Sequence, residues 1–167
     1  DLARLGAGDD VFQWNPGDDN DTIEGQDGFD TLDFNGANID EEITISANGE
    51  RATFFRNIAT VNMDLNDVEH IDFNALGGVD KIVVNDLSGT DVTEVNVNLA
   101  STIDGTAGDN AADTIFIDAT NGDDTIVVVG DASGVTILGL SATIHISGFE
   151  AANAASAWLL KKEAHGS

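Results

Sequence analysis

Three aspartates recur at the ends of short glycine-rich stretches: Asp10 in GAGDDVFQW, Asp21 in GDDNDTIEG and Asp30 in GQDGFDTLDF. Each is followed two residues later by a large apolar side chain, Phe12, Ile23 and Leu32 in turn. The chemistry open to these residue types is ligation of a hard cation by oxygen. Glycines such as Gly6, Gly8, Gly17 and Gly28 let a turn take positive φ and bring backbone carbonyls inward. A short carboxylate at the end of the turn then completes the oxygen shell that calcium requires. One such turn alone needs no ion, since Asp and Gly favour tight turns anyway. Three in succession, each with its apolar residue in place, point to ligation.

Weaker copies of the same unit lie further on. LGGVDKIVV carries Gly78, Asp80 and Ile82, GDNAADTIFI carries Asp113 and Ile115, and TNGDDTIVVV carries Gly122, Asp124 and Ile126. At Asp113 the glycines are eroded, with Ala111 where one is expected. Asp10 and Asp30 are 20 residues apart (30 − 10), one coil of a chain built from two strand-turn halves, so their turns should stack and share an ion. Asp21 then falls on the opposite edge. Asp104 and Asp124 have the same spacing and give a second, weaker pairing. Asp9, Asp18, Asp19, Asn20, Asp27 and Asp123 add to the local negative potential.

The elements that must position these turns are short strands. The chain is punctuated by Gly, Asn and Asp every ten or so residues, with β-branched runs between, and helix-period segments are absent until the end. This rhythm predicts strands over 11–14, 22–24, 31–34, 43–46, 52–55, 61–65, 70–73, 81–84, 94–99, 114–117, 125–129, 135–138 and 143–147. Most alternate apolar and polar residues, so each has one buried face. From Phe149 the composition shifts to FEAANAASAWLLKKEAHGS, where Ala152, Ala155, Trp158 and Leu159 fall on one helical face and Lys161 and Lys162 suit a helix C-terminus. The division is therefore 1–148 as a β domain and 149–167 as a helical cap or an appended, non-native tail.

Composition narrows the function classes. Thirty-one acidic residues against 6 basic ones give a net charge of −25, which excludes a nucleic-acid binder, since that needs a basic face. Hydrophobic residues are 41%, enough for a core. Carboxylates ~4 Å apart in a partly shielded turn repel by roughly 4 kcal/mol per pair, so something positive should offset the charge. No cysteine is present, and no apolar run approaches the ~20 residues of a membrane span. The opening mid-pattern at Asp1 reads as a piece of a longer repeat protein.

The turn units resemble the nonapeptide G-G-x-G-x-D-x-U-x of hemolysin-type (RTX) calcium-binding repeats, U being a large apolar residue. The stretch VEHIDFNALGGVDKIVVNDLSGTDVTEVNVNLA is likewise similar to a segment recurring in large bacterial proteins of that type. With its flanking repeats the resemblance reaches to about Asn153. It implies an all-β fold, a right-handed parallel β-helix or β-roll, in a secreted or cell-surface module with Ca2+ as its ligand. It implies no chemistry of its own. Partners would be calcium ions, with no nucleic acid and no membrane insertion, leaving a cell-surface glycan or further repeats of the parent chain.

Other chemistries are less well served. His70, His145 and His165 have no partner at metal-ligand spacing, and no serine sits in a nucleophile elbow. Asn62, Asn66, Asn85, Asn96 and Asn98 fit stacked amide ladders, a structural role. The reading is therefore a non-enzymatic module that folds on binding calcium outside the cell. The alternatives are a polysaccharide-active β-helix enzyme of lyase or epimerase type, or an adhesin or surface-layer segment. The enzyme is disfavoured because only Arg4, Arg51, Arg56 and Lys81 precede the tail and there is no Tyr.

Overall fold

The computed structural model describes residues 1–150 and the backbone of residues 159–161. The fold is all-β, without an α-helix among the described residues. Its strands are β1 (Leu2–Ala7), β2 (Val11–Trp14), β3 (Thr22–Asp27), β4 (Thr31–Asn35), β5 (Glu42–Asn48), β6 (Arg51–Arg56), β7 (Val61–Asn66), β8 (His70–Asn74), β9 (Lys81–Val84), β10 (Glu94–Asn98), β11 (Thr114–Asp118), β12 (Val127–Asp131), β13 (Gly134–Leu138), β14 (Thr143–Ser147) and β15 (Leu159–Lys161).

They form two mixed sheets. The first runs β1-β3-β7-β6-β5-β9-β11-β15 and the second β12-β13-β14-β10-β8-β4-β2. Early in the chain successive strands alternate between the sheets, and strands that return to a sheet pair in parallel. Val11 lies opposite Thr31, and Leu2 opposite Thr22. Two antiparallel excursions interrupt this. The β5–β6–β7 meander adds two strands to the first sheet, and the β12–β13 hairpin does the same to the second. The register consequently widens from 20 residues between β2 and β4 to 39 between β4 and β8.

Alternation along the strands builds one core between the sheets. Ile23, Leu32, Phe34, Ile43, Ile45, Phe54, Met63 and Ile71 are each wholly buried, every one at an inward position of its strand. Four aromatics form its centre. The rings of Trp14 and Phe34 stack with centroids 4.1 Å apart, and Phe54 and Phe73 pack obliquely on Phe34 at 4.2 and 6.2 Å. Phe54 is thus the buried member of the Phe54–Phe55 pair, and Phe55 is half-buried.

Two expectations are corrected. Where a helix is expected in the tail, Leu159–Lys161 is a strand that adds in parallel to β11, because the edge of the first sheet offers unpaired backbone groups that an extended segment satisfies. Ala152, Ala155, Trp158 and Lys162 lie outside the described residues. The strand expected over 125–129 is displaced to Val127–Asp131 and is not half-buried. Val127, Val128 and Val129 are 46, 55 and 57% exposed, because β12 is the outer strand of its sheet.

Candidate functional site

The turns that precede the strands carry the acidic residues, and parallel stacking places each above its counterpart. The residue just before each strand is Asp10, Asp30 and Glu69 for β2, β4 and β8, and Glu41, Asp80 and Asp113 for β5, β9 and β11. Each later carboxylate accepts a hydrogen bond from the backbone N–H of the earlier residue. Asp10 donates to Asp30 Oδ1 at 2.9 Å, Asp30 to Glu69 Oε2 at 2.7 Å, Glu41 to Asp80 Oδ1 at 2.8 Å and Asp80 to Asp113 Oδ1 at 2.9 Å. Two steps are reciprocal, since Phe29 N–H donates back to Asp9 Oδ1 and Val79 N–H to Asp40 Oδ1, at 2.9 and 2.8 Å. The aspartate stack is therefore a ladder of carboxylates capping backbone amides between neighbouring turns.

Glycine makes the close approach. A Cβ on Gly28 would lie 2.1 Å from the carbonyl oxygen of Gly8, and one on Gly78 would lie 2.4 Å from the carbonyl carbon of Ile39. Both residues also have φ in the left-handed region, +148° and +127°. Gly6, Gly8 and Gly17 have open space on the same side, and Gly122 meets nothing closer than 3.5 Å.

The ladders bury charge. Asp30, Asp80 and Asp113 are 0, 2 and 7% exposed. Glu41, 1% exposed, has a counter-charge: Oε1 accepts from Nε of buried Arg56, whose guanidinium lies 5.4 Å above the Trp14 ring, and Oε2 accepts from Ala37 N–H. The other three have no basic partner among the described residues. Burial pushes the Asp80 carboxyl up to about 8, reinforced by the charges of Asp113, Glu41 and Asp109 against the Glu41 N–H bond. Burial likewise raises Asp113 to about 6, with Asp109 and Glu150 adding to it.

Asp30 is arranged differently. Its Oδ1 is taken by Asp10 N–H, but Oδ2 is buried with no hydrogen-bond partner. That oxygen and the backbone carbonyl of Asp67 converge on one small volume. They lie 2.5 and 1.7 Å from where a Cβ on Gly25 would stand. Gly25 therefore leaves a cradle lined by two oxygens, with Asp67 itself at φ +51°.

The structure thus brings Asp10 and Asp30 together and sets Asp21 on the opposite sheet, just before β3, where its backbone carbonyl accepts from Asp64 N–H at 2.9 Å. Asp80 and Asp113 stack as well. Asp124 has Oδ1 accepting from Thr120 Oγ1 at 2.6 Å and Oδ2 buried without a donor, while the backbone N–H of Asp104 donates to Asn74 Oδ1 at 3.2 Å. Among the described residues no group of three or more His, Asp or Glu side chains is placed to hold a metal.

Sequence reasoning missed Asp40, Glu41 and Glu69 as ladder members, and Asp109, whose Oδ2 accepts from Gly78 N–H at 2.8 Å. Glu stands for Asp in two of them, and the 39-residue register is visible only once the β5–β6–β7 insertion is known. An amide ladder forms instead through Asn15, Asn35 and Asn74, at 3.0 Å per step, and Asn98 Nδ2 donates to the Gly105 carbonyl. Asn66 and Asn96 bond carboxylates instead, and Asn85 bonds Ser46 Oγ. Comparison with known protein families, with curated proteins and with solved structures finds no match to this chain.

Proposed function

We propose that this chain is a calcium-binding structural module of a secreted repeat protein, in which the ion neutralises a turn stack and locks neighbouring turns together. The observation that carries the reading is Asp30 Oδ2, a buried carboxyl oxygen without a donor, beside the Asp67 carbonyl in the Gly25 cradle. An unpaired buried carboxyl oxygen is costly, and a hard cation, which is coordinated by oxygen, would relieve the cost. Asp30 and the Asp67 carbonyl would hold the ion, and the ion would supply positive charge only.

The parallel pairing of β1, β3 and β7, and of β2, β4, β8, β10 and β14, supports a β-solenoid with two inserted excursions. In such an architecture neighbouring turns must approach, and like charges on them must be neutralised. At calcium a hundredfold above the dissociation constant the site would add ~2.7 kcal/mol of stability, and extracellular modules bind at ~10⁻⁴ to 10⁻³ M. Asp80 and Asp113 can instead be held neutral by protons, since burial raises both.

Isothermal titration with calcium tests the reading. Saturable binding that is lost in Asp30→Asn supports it, and unchanged binding in that variant refutes the assigned site.

A further inference from the structure

The two sheets end in four edge strands, β1 and β15 in the first and β12 and β2 in the second. Three of them carry devices that keep an open edge from pairing with another chain. β1 has Arg4, β15 has Lys161, and β2 is four residues long between Asp10 and Pro16. β12 has none before its last residue, Asp131. Val127, Val128 and Val129 are all exposed, as is Leu138, which lies opposite Val127 on β13. Consecutive residues of a strand point to opposite faces, so both faces of β12 are apolar and open among the described residues. Val128 lies opposite Ile137, which is 2% exposed, and so continues the inward face of the sheet past the edge of the core.

Charge is cleared from the same region. From Thr125 to Phe149 the sequence carries one Asp, Glu, Lys or Arg, Asp131, where a chain that is 22% charged would place about five in 25 residues (149 − 124). A cationic partner would be drawn to the carboxylates elsewhere on a chain of net charge −25. A strand without charge is an advantage against a partner that is itself anionic, because like charges brought face to face oppose docking. A second copy of this chain is such a partner.

The sequence of β12 is also complementary to itself. Antiparallel pairing about a two-fold axis at Val128 sets residue i opposite residue 256 − i of the partner (128 + 128). Val127 then faces the partner's Val129, and Val128 faces the partner's Val128, β-branched pairs that suit a sheet. Asp131 falls opposite the partner's Thr125 and Asp124 opposite the partner's Ala132, so no carboxylate meets another. A slip to 254 − i would set Asp131 against the partner's Asp123. We infer that β12 is a self-association surface, through which two copies of the chain join their second sheets edge to edge about Val128. The two-fold consumes both β12 edges, so assembly stops at two. One strand pair buries less than the ~1,200 Å² below which complexes are weak, so the dissociation constant should be on the order of 10⁻⁵ to 10⁻⁴ M.

Sedimentation equilibrium of the full chain in saturating calcium, from about 10 µM to about 1 mM, should show a monomer–dimer equilibrium. It should strengthen several-fold on raising salt to about 0.5 M, as screening relaxes the repulsion between two anionic chains. Val128→Lys and Val128→Glu should each weaken the dimer about tenfold or more with unchanged circular dichroism, and an equimolar mixture of the two should recover it, since opposite charges then face each other. Val11→Lys, at the exposed edge of β2, should leave it in place. The chain has no cysteine, and opposed residues of paired strands lie within disulfide reach, so under mild oxidation Val128→Cys should cross-link about tenfold faster than Val11→Cys. A chain that is monomeric at about 1 mM, or that cross-links no faster through Val128→Cys than through Val11→Cys, would overturn the inference. So would association that grows beyond two copies. Loss of the dimer in Val11→Lys with retention in Val128→Lys would also overturn it, by moving the contact to β2. Asp30→Asn should dimerise as the wild type does, which separates this surface from the calcium reading.

Discussion

Replacing Arg56 by Met leaves Glu41 as a buried carboxylate with one remaining donor to its side chain among the described residues, Ala37 N–H. Arg56 is 3% exposed and Glu41 1%, so solvent cannot take over the lost charge, and removal of one partner of such a pair costs ~3–5 kcal/mol. The guanidinium also lies on the Trp14 face, so part of the loss is packing against the aromatic centre. Glu41→Gln should carry a cost of the same kind, since it leaves the guanidinium buried without its anion. The double variant Arg56→Met/Glu41→Gln removes both charges and should cost less than the two singles together, with a coupling of about 2 kcal/mol. Urea unfolding in calcium-saturated buffer, followed by Trp fluorescence and by circular dichroism, measures all three. Additive losses, or single-variant losses under about 1 kcal/mol of the kind seen for surface pairs, would refute the reasoning.

Three further outcomes follow from the ladders and the core. Asp80 titrates at about 8 in the folded chain against 3.8 ordinarily, so the folded state keeps a proton that the unfolded state has lost, and stability in chelator should fall as pH rises from about 4 to about 8. Asp80→Asn should flatten that slope, and an unchanged slope would contradict the assignment. Gly28→Ala should cost more than Gly17→Ala in thermal melts. The second suffers only positive-φ strain of about 1 kcal/mol, whereas the first also meets the Gly8 carbonyl. Phe34→Ala, which removes the ring stacked on Trp14, should cost ~3–5 kcal/mol and shift Trp emission to the red; a loss under about 1 kcal/mol would count against the described core.

The strands around the turns were legible because each obeys a two-residue period that its burial reproduces, as in TLDF, where Leu32 and Phe34 go inward. The stacking of Asp10 on Asp30 was legible from their spacing alone. Glu41 and its partner Arg56 were not, because the pairing depends on the antiparallel return of β6, which no repeat encodes. VVV at Val127–Val129 reads as a buried strand by composition, and only its place at the sheet edge leaves it exposed. The tail misled because Ala, Leu and Lys favour helix locally, while β11 offered a strand edge to pair with. The short carboxylate at a turn end was seen as a ligand. Its use as a cap on the backbone N–H of the turn before it required the inter-turn geometry.

Thermal unfolding of the wild-type chain and of Asp30→Asn, each with millimolar calcium and with chelator, bears most directly on the account. Neutralisation of Asp30 by calcium predicts that the wild type melts well above its chelated form, that Asp30→Asn melts at the same temperature in both, and that in chelator the variant is no less stable than the wild type. A calcium-dependent rise in Asp30→Asn equal to that of the wild type, or no rise in either, would contradict it.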